Sequence, residues 1–200
     1  MTLLLILKIR FPSALYLLRG NHETAVVSHL FGFHQECRTR AGDVFWDEFL
    51  EVFDALPFAG HIPAPASILC VHGGISPYAN TLAEIENAIH RPLDVTPRTS
   101  GLISDLLWAD PCPDITHFCS NPRGQSVMYG LKATRKFLDN NNLKRIVRAH
   151  TYEEEGWAVM GEQAEVVTVF SAPNYKRLGG KGAVMVLKED GSFTLEVMHE

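Results

Sequence analysis

The sequence predicts a layered α/β protein in which β-sheets pack against helices. Helical patterns and short apolar strand patterns alternate over roughly the first 150 residues, and three apolar or β-branched runs follow one another after them. Asp190-Gly191 lies between the last two of these runs, where it predicts a tight hairpin turn. Interleaved helices and strands followed by antiparallel strands are typical of layered α/β architectures.

Length and composition limit the class of protein. The 200 residues are enough for one full-sized core, so a single domain over 1–200 is predicted. The apolar share of 46% is ordinary for a globular protein, and the net charge of −5 argues against a nucleic-acid partner. The apolar run 3–7 is too short to span a bilayer, so no membrane partner is expected either.

The four cysteines indicate a reducing compartment. They are scattered along the chain, and no pair has the spacing that is typical of a structural zinc site. We therefore interpret them as reduced thiols: Cys37, Cys70, Cys112 and Cys119. Reduced thiols favour a cytoplasmic or nuclear location.

The first sixty residues are predicted to be mainly helical. Residues 1–10 have the pattern expected of the last turns of a buried helix, and the apolar run 14–18 predicts a short strand. Phe45, Phe49 and Phe53 recur at fourfold spacing, which predicts one buried helix face. The helical patterns of this part cover 24–30, 33–40 and 44–56.

Strands and helices alternate in the remainder of the chain. Strands are predicted at 68–71, 145–147, 166–170, 183–187 and 193–197, and helices at 81–89 and 131–138. Thr81 and Glu84 have the spacing of a capping box, which supports the start of the first of these helices. The stretch 91–124 is rich in Pro and Asp, and it predicts loops around a short helical pattern at 102–108.

Polar side chains follow three of the apolar strand patterns. Asn21, His72 and His150 each come just after such a pattern, at the kind of position where open α/β sheets build their sites. Imidazole and amide oxygen are suitable ligands for zinc, iron and manganese. A lone histidine after a strand is usually structural, but three separate positions of one type favour a metal site.

Four motifs carry a resemblance to a known family. They are Arg-Gly-Asn-His-Glu at 19–23, His-Gly-Gly at 72–74, Arg-Ala-His at 148–150 and Ser-Ala-Pro-Asn-Tyr at 171–175. In this order and spacing they resemble the phosphoprotein phosphatase family, the metal-dependent protein serine/threonine phosphatases of the calcineurin-like metallophosphoesterase superfamily. The resemblance covers nearly the whole chain. It implies a layered metallophosphoesterase fold with a central β-sandwich flanked by helices.

The resemblance also implies residue roles. Three side chains would bind one metal ion of a two-metal centre that takes manganese, iron or zinc: Asn21, His72 and His150. His22 would protonate the leaving alkoxide, Arg123 would hold phosphate oxygens, and Tyr175 would flank the same pocket. Phosphoprotein substrates and regulatory subunits are the partners that the family implies.

The chain departs from the family in one respect. The family's Gly-Asp-x-His-Gly and Gly-Asp-x-Val-Asp-Arg-Gly motifs, which carry the ligands of the other metal, do not occur in this sequence. The sequence is therefore interpreted as an N-terminally truncated domain that lacks the first strands of the fold and retains ligands for one metal. Because Asn21, His72 and His150 are all neutral, weak metal affinity and little turnover are expected.

Alternative interpretations stay open at this stage. A non-catalytic phosphatase remnant that binds phosphoproteins or subunits is the second hypothesis, and an esterase of dinucleotides or other small phosphates is the third. Arg123 would otherwise form a surface salt bridge, and Asp110 is expected to hydrogen-bond the backbone of a turn. Six histidines outside the motifs are expected to be surface or packing residues: His29, His34, His61, His90, His117 and His199.

Overall fold

A computed structural model of the protein describes residues 1–89 and 96–199, so that His90 and the start of the predicted loop region, 91–95, lie outside the described residues. The chain divides into two compact units, Met1–Phe58 and Ala59–Glu200. The single domain expected from the sequence stays a prediction. Each unit is described separately below.

The smaller unit is built from helices. Its helices are α1 (Thr2–Arg10), α2 (Ala25–Leu30), α3 (Phe33–Ala41) and α4 (Val44–Ala55). The aromatic spacing in α4 places Phe49 and Phe53 in a buried cluster with Cys37 and Leu56, whereas Phe45 is 39% exposed. The predicted helices of this part are confirmed, and the core follows from one face of α4.

Two expectations for the start of the chain were wrong. The helix at 1–10 forms, but none of its residues is buried in the structure, and Ile9 is 81% exposed. No strand forms at 14–18. The Ala14 and Leu15 N–H groups instead donate to the Phe11 carbonyl, each at 3.1 Å, and the Arg19 N–H donates to the Pro57 carbonyl at 2.8 Å. An apolar run becomes a strand only when a neighbour accepts its backbone hydrogen bonds.

The larger unit combines ten strands and three helices among its described residues. The strands are β1 (Ala59–Ile62), β2 (Ile68–Val71), β3 (Asp110–Pro111), β4 (Phe118–Ser120), β5 (Val127–Tyr129), β6 (Arg145–Arg148), β7 (Trp157–Met160), β8 (Val166–Val169), β9 (Gly182–Leu187) and β10 (Phe193–Met198). The helices are α5 (Leu82–Ala88), α6 (Pro97–Trp108) and α7 (Leu131–Asn140). This mixture of helices and strands is the predicted α/β class.

The strands form three sheets. The largest has the order β1-β2-β6-β8-β7, and its three central strands run parallel. Strands β3, β5 and β4 form a second sheet, and β9 pairs with β10 in the predicted hairpin. The Ala183 N–H donates to the Phe170 carbonyl at 2.9 Å, which connects β9 to the chain just after β8.

The central strands of the largest sheet are almost continuously apolar. Ile146 and Val167 have no measurable exposure, and Ile68 is 1% exposed. Such runs are typical of parallel strands that are covered on both faces. They also bring the carboxyl ends of β2, β6 and β8 to one edge of the sheet. The sequence predicted these three strands, but it did not predict β1, β7 or the second sheet.

Local signals explain two of the helices. At the start of α5, the Thr81 hydroxyl accepts from the Glu84 backbone N–H and the Glu84 carboxylate accepts from the Thr81 N–H, which confirms the capping box. Helix α6 is longer than predicted because the Thr96 side chain caps it and Pro97 occupies its first turn. None of the helices in the described ranges has the length and apolar character needed to cross a bilayer.

Truncating Val167 tests the assignment of the core. Val167 on β8 is fully buried and is the register partner of Val159 on β7, which is 44% exposed. Val167→Ala is expected to lower the free energy of unfolding by about 2 kcal/mol, because it removes two buried methyl groups. Val159→Ala, the matched control, is expected to cost less than about 1 kcal/mol. Urea unfolding of both variants measures the difference, and equal losses would contradict the assignment.

Candidate metal and phosphate site

Two predicted metal ligands meet at one edge of the largest sheet. His72 follows β2 and His150 follows β6, and the Ala149 N–H donates to the His72 carbonyl at 3.0 Å, so the two strand ends stay together. The two imidazole ring centroids lie 5.2 Å apart in an edge-on arrangement. The Trp108 ring lies 5.4 Å from the His150 ring. Both histidines are half-buried.

The backbone of His150 is held in an unusual conformation. Its φ of +63° lies in the left-handed region, which non-glycine residues rarely adopt. Such a conformation costs about 1–3 kcal/mol and persists only where the surroundings fix it.

The two glycines after His72 are required for close packing. A Cβ on Gly73 would lie 2.5 Å from the Trp108 backbone nitrogen, and one on Gly74 would lie 2.1 Å from the Tyr129 ring. Neither glycine has a positive φ. Their lack of a side chain lets the end of β2 approach α6 and β5.

The buried side chain of Arg148 joins three segments around the histidine pair. Its Nε donates to the Gly73 carbonyl at 2.7 Å, and its Nη1 donates to the Thr151 hydroxyl at 2.6 Å. Its Nη2 donates to the Ala109 carbonyl at 3.0 Å and to Asp110 Oδ1 at 2.8 Å. The side chain has no solvent exposure. The guanidinium therefore fixes the chain after β2, after α6 and after β6 relative to one another.

Asp110 is the acceptor shared by this network, which corrects the expectation that it bonds the backbone of a turn. Its Oδ1 accepts from Arg148 and, at 2.9 Å, from the Thr151 hydroxyl. Its Oδ2 accepts from Asn121 Nδ2 at 3.0 Å and from Arg123 Nε at 2.9 Å. The carboxylate accepts from side chains rather than from the backbone, because the buried guanidinium of Arg148 requires a negative counter-charge.

The surroundings of Asp110 keep it ionised. Burial alone would raise its pKa, but the hydrogen bond from Asn121 and the charge of Arg148 outweigh burial and lower the pKa from 3.8 to about 2. The hydrogen bond from Thr151 and the charge of His150 act in the same direction. At neutral pH Asp110 is therefore an ionised carboxylate that is paired with two arginines.

The loop after β4 presents Arg123. The Asn121 side-chain oxygen accepts from the Arg123 N–H at 3.0 Å, and the Gly124 N–H donates to the Asn121 carbonyl at 3.0 Å. These bonds close a tight turn. Arg123 makes the salt bridge with Asp110 while its side chain remains 49% exposed. Arg123, which was predicted to hold phosphate oxygens, is therefore held in place by Asp110 while its side chain stays accessible to solvent.

Tyr175 lies in a single helical turn, Tyr175–Arg177, after β8. Its ring packs 6.1 Å from Tyr152 and 5.1 Å from Phe170. Tyr152 is two residues beyond His150, so the predicted pocket-flanking residue belongs to the same part of the larger unit as the histidine pair. Its predicted role is not decided by these contacts.

Asn21 and His22 belong to the smaller unit. Asn21 is 4% exposed, and its carbonyl accepts from the Thr24 hydroxyl at 2.8 Å. The exposed His22 ring lies 5.1 Å from the Phe31 ring. The loop that carries them is anchored by Arg19, whose Nη2 bonds Asp54 at 2.8 Å. The structure therefore brings together His72, His150, Arg123 and Tyr175 in one unit, and Asn21 and His22 in the other.

The histidine pair fits a single metal ion in its chemistry. Imidazole nitrogen suits zinc, iron, copper and nickel, and a ring separation of 5.2 Å is compatible with both rings binding one ion. Within residues 1–89 and 96–199, however, no three His, Cys, Asp or Glu side chains are grouped so that they could hold a metal ion. The donor set that the larger unit offers is therefore small and neutral.

Sequence reasoning missed three residues that organise this site. Arg148 stood inside the Arg-Ala-His motif and Asn121 two residues before Arg123, both without an assigned role, and Asp110 was assigned to a backbone turn. A pattern signal existed for Arg148, because a charged residue inside an otherwise apolar strand requires a buried partner. No local pattern identifies Asp110 as that partner, since the two residues are 38 positions apart.

Comparison with known proteins agrees with this architecture. Residues 1–154 match the family described as calcineurin-like phosphoesterase. Among solved structures, the chain is similar to a protein serine/threonine phosphatase from Saccharomyces cerevisiae with similarity to human phosphatase PP5, at 29% sequence identity and a TM-score of 0.83. The match covers 99% of this chain and 64% of that one. The predicted layered metallophosphoesterase fold is confirmed.

Replacing Asp110 tests the charge network. Asp110→Asn is expected to lower the free energy of unfolding at neutral pH by about 2–3 kcal/mol, because it leaves the buried Arg148 without a counter-charge. The pKa of Asp110 falls on folding, so its contribution is complete above pH 3.8 and is lost as the pH falls through about 2. The difference in unfolding free energy between the wild type and the variant should therefore shrink as the pH is lowered from 3.8 to about 2.

Urea unfolding at a series of pH values measures this deficit. Asp114→Asn, which removes an exposed carboxylate four residues away, is the matched control and should change the unfolding free energy by less than about 0.5 kcal/mol. A deficit for Asp110→Asn that stays constant down to pH 2 would show that the ionised carboxylate is not what stabilises Arg148.

Proposed function

Because this chain belongs to the calcineurin-like phosphoesterase family, we propose that it acts on phosphoserine and phosphothreonine in proteins. The similarity to a yeast protein serine/threonine phosphatase supports this substrate class. The chain spans 64% of the length of that phosphatase. Its activity and substrates are therefore proposals that rest on the residues described above.

One observation carries the proposal: a single carboxylate connects a phosphate-binding guanidinium to the strand end that bears the histidine pair. Asp110 bonds Arg123 through Oδ2 and Arg148 through Oδ1, and Arg148 lies two residues before His150. A half-exposed arginine and two imidazoles are thereby held on one rigid support. This combination suits a phosphate ester, which needs positive charge around its oxygens.

The chain's own residues would bind and orient the phosphoryl group. The Arg123 guanidinium would donate to two phosphate oxygens in a planar fork, which a lysine ammonium does not reproduce. Asp110 would keep that guanidinium in place, and Tyr175 would line the pocket beside it. His72 and His150 would hold a metal ion, which supplies Lewis-acid polarisation of phosphate and activation of a water molecule when bound.

Asn21 and His22 retain the roles that their motif implies. Asn21 is proposed as a metal ligand and His22 as the proton donor to the leaving serine or threonine oxygen. Regulatory subunits are proposed as partners, and manganese, iron or zinc as the metals. All four cysteines are free thiols, which supports a reducing location such as the cytoplasm or nucleus.

A binding module without turnover is the second candidate. It is favoured by the neutral ligand set, because Asn21, His72 and His150 bring no negative charge to a divalent ion. Among the described residues, no three His, Cys, Asp or Glu side chains are grouped so that they could hold a metal ion. Turnover by this polypeptide alone is therefore expected to be low, whereas phosphopeptide binding through Arg123 is expected in both cases.

Replacing Arg123 tests the proposed function. Arg123→Lys keeps the charge but removes the planar fork, so we expect it to weaken binding of a phosphothreonine peptide about tenfold. Any metal-dependent phosphate release from that peptide should fall about 100-fold. The matched control is Arg98→Lys, since Arg98 is an exposed arginine of the same unit that donates to the Tyr78 carbonyl.

Fluorescence anisotropy of a labelled phosphopeptide and phosphate release with added Mn²⁺ provide the two readouts. Slow, Arg123-dependent release supports the phosphatase, and Arg123-dependent binding without release under any metal supports the binding module. Faster hydrolysis of a dinucleoside polyphosphate than of the phosphopeptide would contradict both and favour an esterase of small phosphates.

A further inference from the structure

We propose that Asp105, a buried residue of α6, is a positioning residue for phosphate binding, because it holds the loop 121–126 that presents Arg123. This inference rests on the proposed function, in which the Arg123 guanidinium binds the phosphoryl group. It adds a residue to which the sequence analysis assigned no role. Asp105 acts through the loop and is not itself placed in contact with phosphate.

The side chain of Asp105 joins two segments of the larger unit. Asp105 is 2% exposed. Its Oδ1 accepts from the Ser126 hydroxyl at 2.7 Å, and its Oδ2 accepts from the Ser76 hydroxyl at 2.5 Å. Ser76 follows β2 and is itself 4% exposed. The carboxylate therefore connects the chain after β2 to the last residue of the loop that carries Arg123.

The two hydroxyl groups compensate the burial of this carboxylate. Burial raises the pKa of Asp105, and the hydrogen bonds from Ser76 and Ser126 act in the opposite direction. A carboxylate offers two acceptor oxygens, whereas an amide offers only one. Because each oxygen of Asp105 accepts one hydroxyl proton, position 105 suits Asp better than Asn.

The loop is closed on itself and docked on α6. The Asn121 N–H donates to the Ser126 carbonyl at 3.2 Å, so these two residues close the loop. Ser126 has a φ of +65°, in the left-handed region that non-glycine residues adopt at a cost. Just before it, Gln125 Nε2 donates to the Ser104 hydroxyl at 3.3 Å. Two consecutive loop residues thus bond two consecutive residues of α6.

Arg123 is therefore held in two places. Asp110 bonds its guanidinium at 2.9 Å, whereas Asp105 fixes the backbone of its loop through Ser126. The two carboxylates lie five residues apart, one in α6 and one in β3. A guanidinium that is fixed in advance loses less conformational entropy when phosphate binds. Loosening Ser126 should thus weaken phosphate binding although no phosphate-binding atom is removed.

Ser126→Ala tests this role with the mildest change. It removes the bond from the loop to Asp105 and leaves the Ser76 bond intact. We expect it to raise the Kd for a labelled phosphothreonine peptide, measured on the full chain by fluorescence anisotropy, about fivefold. The matched control is Thr134→Val, which removes a buried hydroxyl that donates to the Gly130 carbonyl at 3.0 Å. This control should leave the Kd unchanged.

Two double-mutant cycles show through which residues the effect acts. Arg123→Gln removes the guanidinium, so adding Ser126→Ala to it should have no further effect on the Kd. Asp105→Asn should weaken binding at least as much as Ser126→Ala, and the two changes together should not add. A role in folding alone would lower the affinity equally with and without the Arg123 guanidinium.

A second readout does not depend on phosphopeptide binding. The exchange of the Arg123 Nε–H proton with water, measured by NMR, should become about fivefold faster in Ser126→Ala and should not change in Thr134→Val. If the wild-type chain does not bind the phosphopeptide, or binds it independently of Arg123, the proposed function fails. The exchange rates then decide alone whether Asp105 positions Arg123.

The inference is overturned if Ser126→Ala leaves the Nε–H exchange rate of Arg123 at its wild-type value. It is equally overturned if Thr134→Val changes the Kd or the exchange rate as much as Ser126→Ala does, since any lost hydroxyl would then have the same effect. Urea unfolding of each variant confirms that the chain is folded under the conditions of both measurements.

Discussion

The buried ion pair between Arg148 and Asp110 is the constraint on which the larger unit's site depends. Arg148 has no solvent exposure, and removing a guanidinium from water is costly unless its donors are satisfied. Three of its bonds go to oxygens of other segments, at Gly73, Ala109 and Asp110. The need to pair the hydrogen-bond donors of this one guanidinium therefore fixes the positions of three loops of the larger unit.

This pair also determines the electrostatics around the histidines. The Asp110 carboxylate is already engaged by Arg148 and Arg123, so it is not available as an additional metal ligand. The half-exposed guanidinium of Arg123 and the two half-buried imidazoles remain beside it.

The sequence predicted the elements that local patterns control. The apolar strands that end in His72 and His150 were found because burial in a parallel sheet leaves a continuous apolar run. The capping box at Thr81 and the hairpin at Asp190-Gly191 were found because a few neighbouring residues specify them. The sequence did not predict the role of Asp110 or the exposure of α1, because both depend on which distant segments lie nearby.

The bonds of Arg148 also have a consequence for the order of folding. The contact with Gly73 closes a loop of 75 residues, and the contact with the Ala109 carbonyl closes one of 39. Loop closure over such separations costs entropy that only a largely formed sheet can offset. The arginine network should therefore assemble late, so that the strand ends bearing His72 and His150 reach their final arrangement only once the sheet is largely complete.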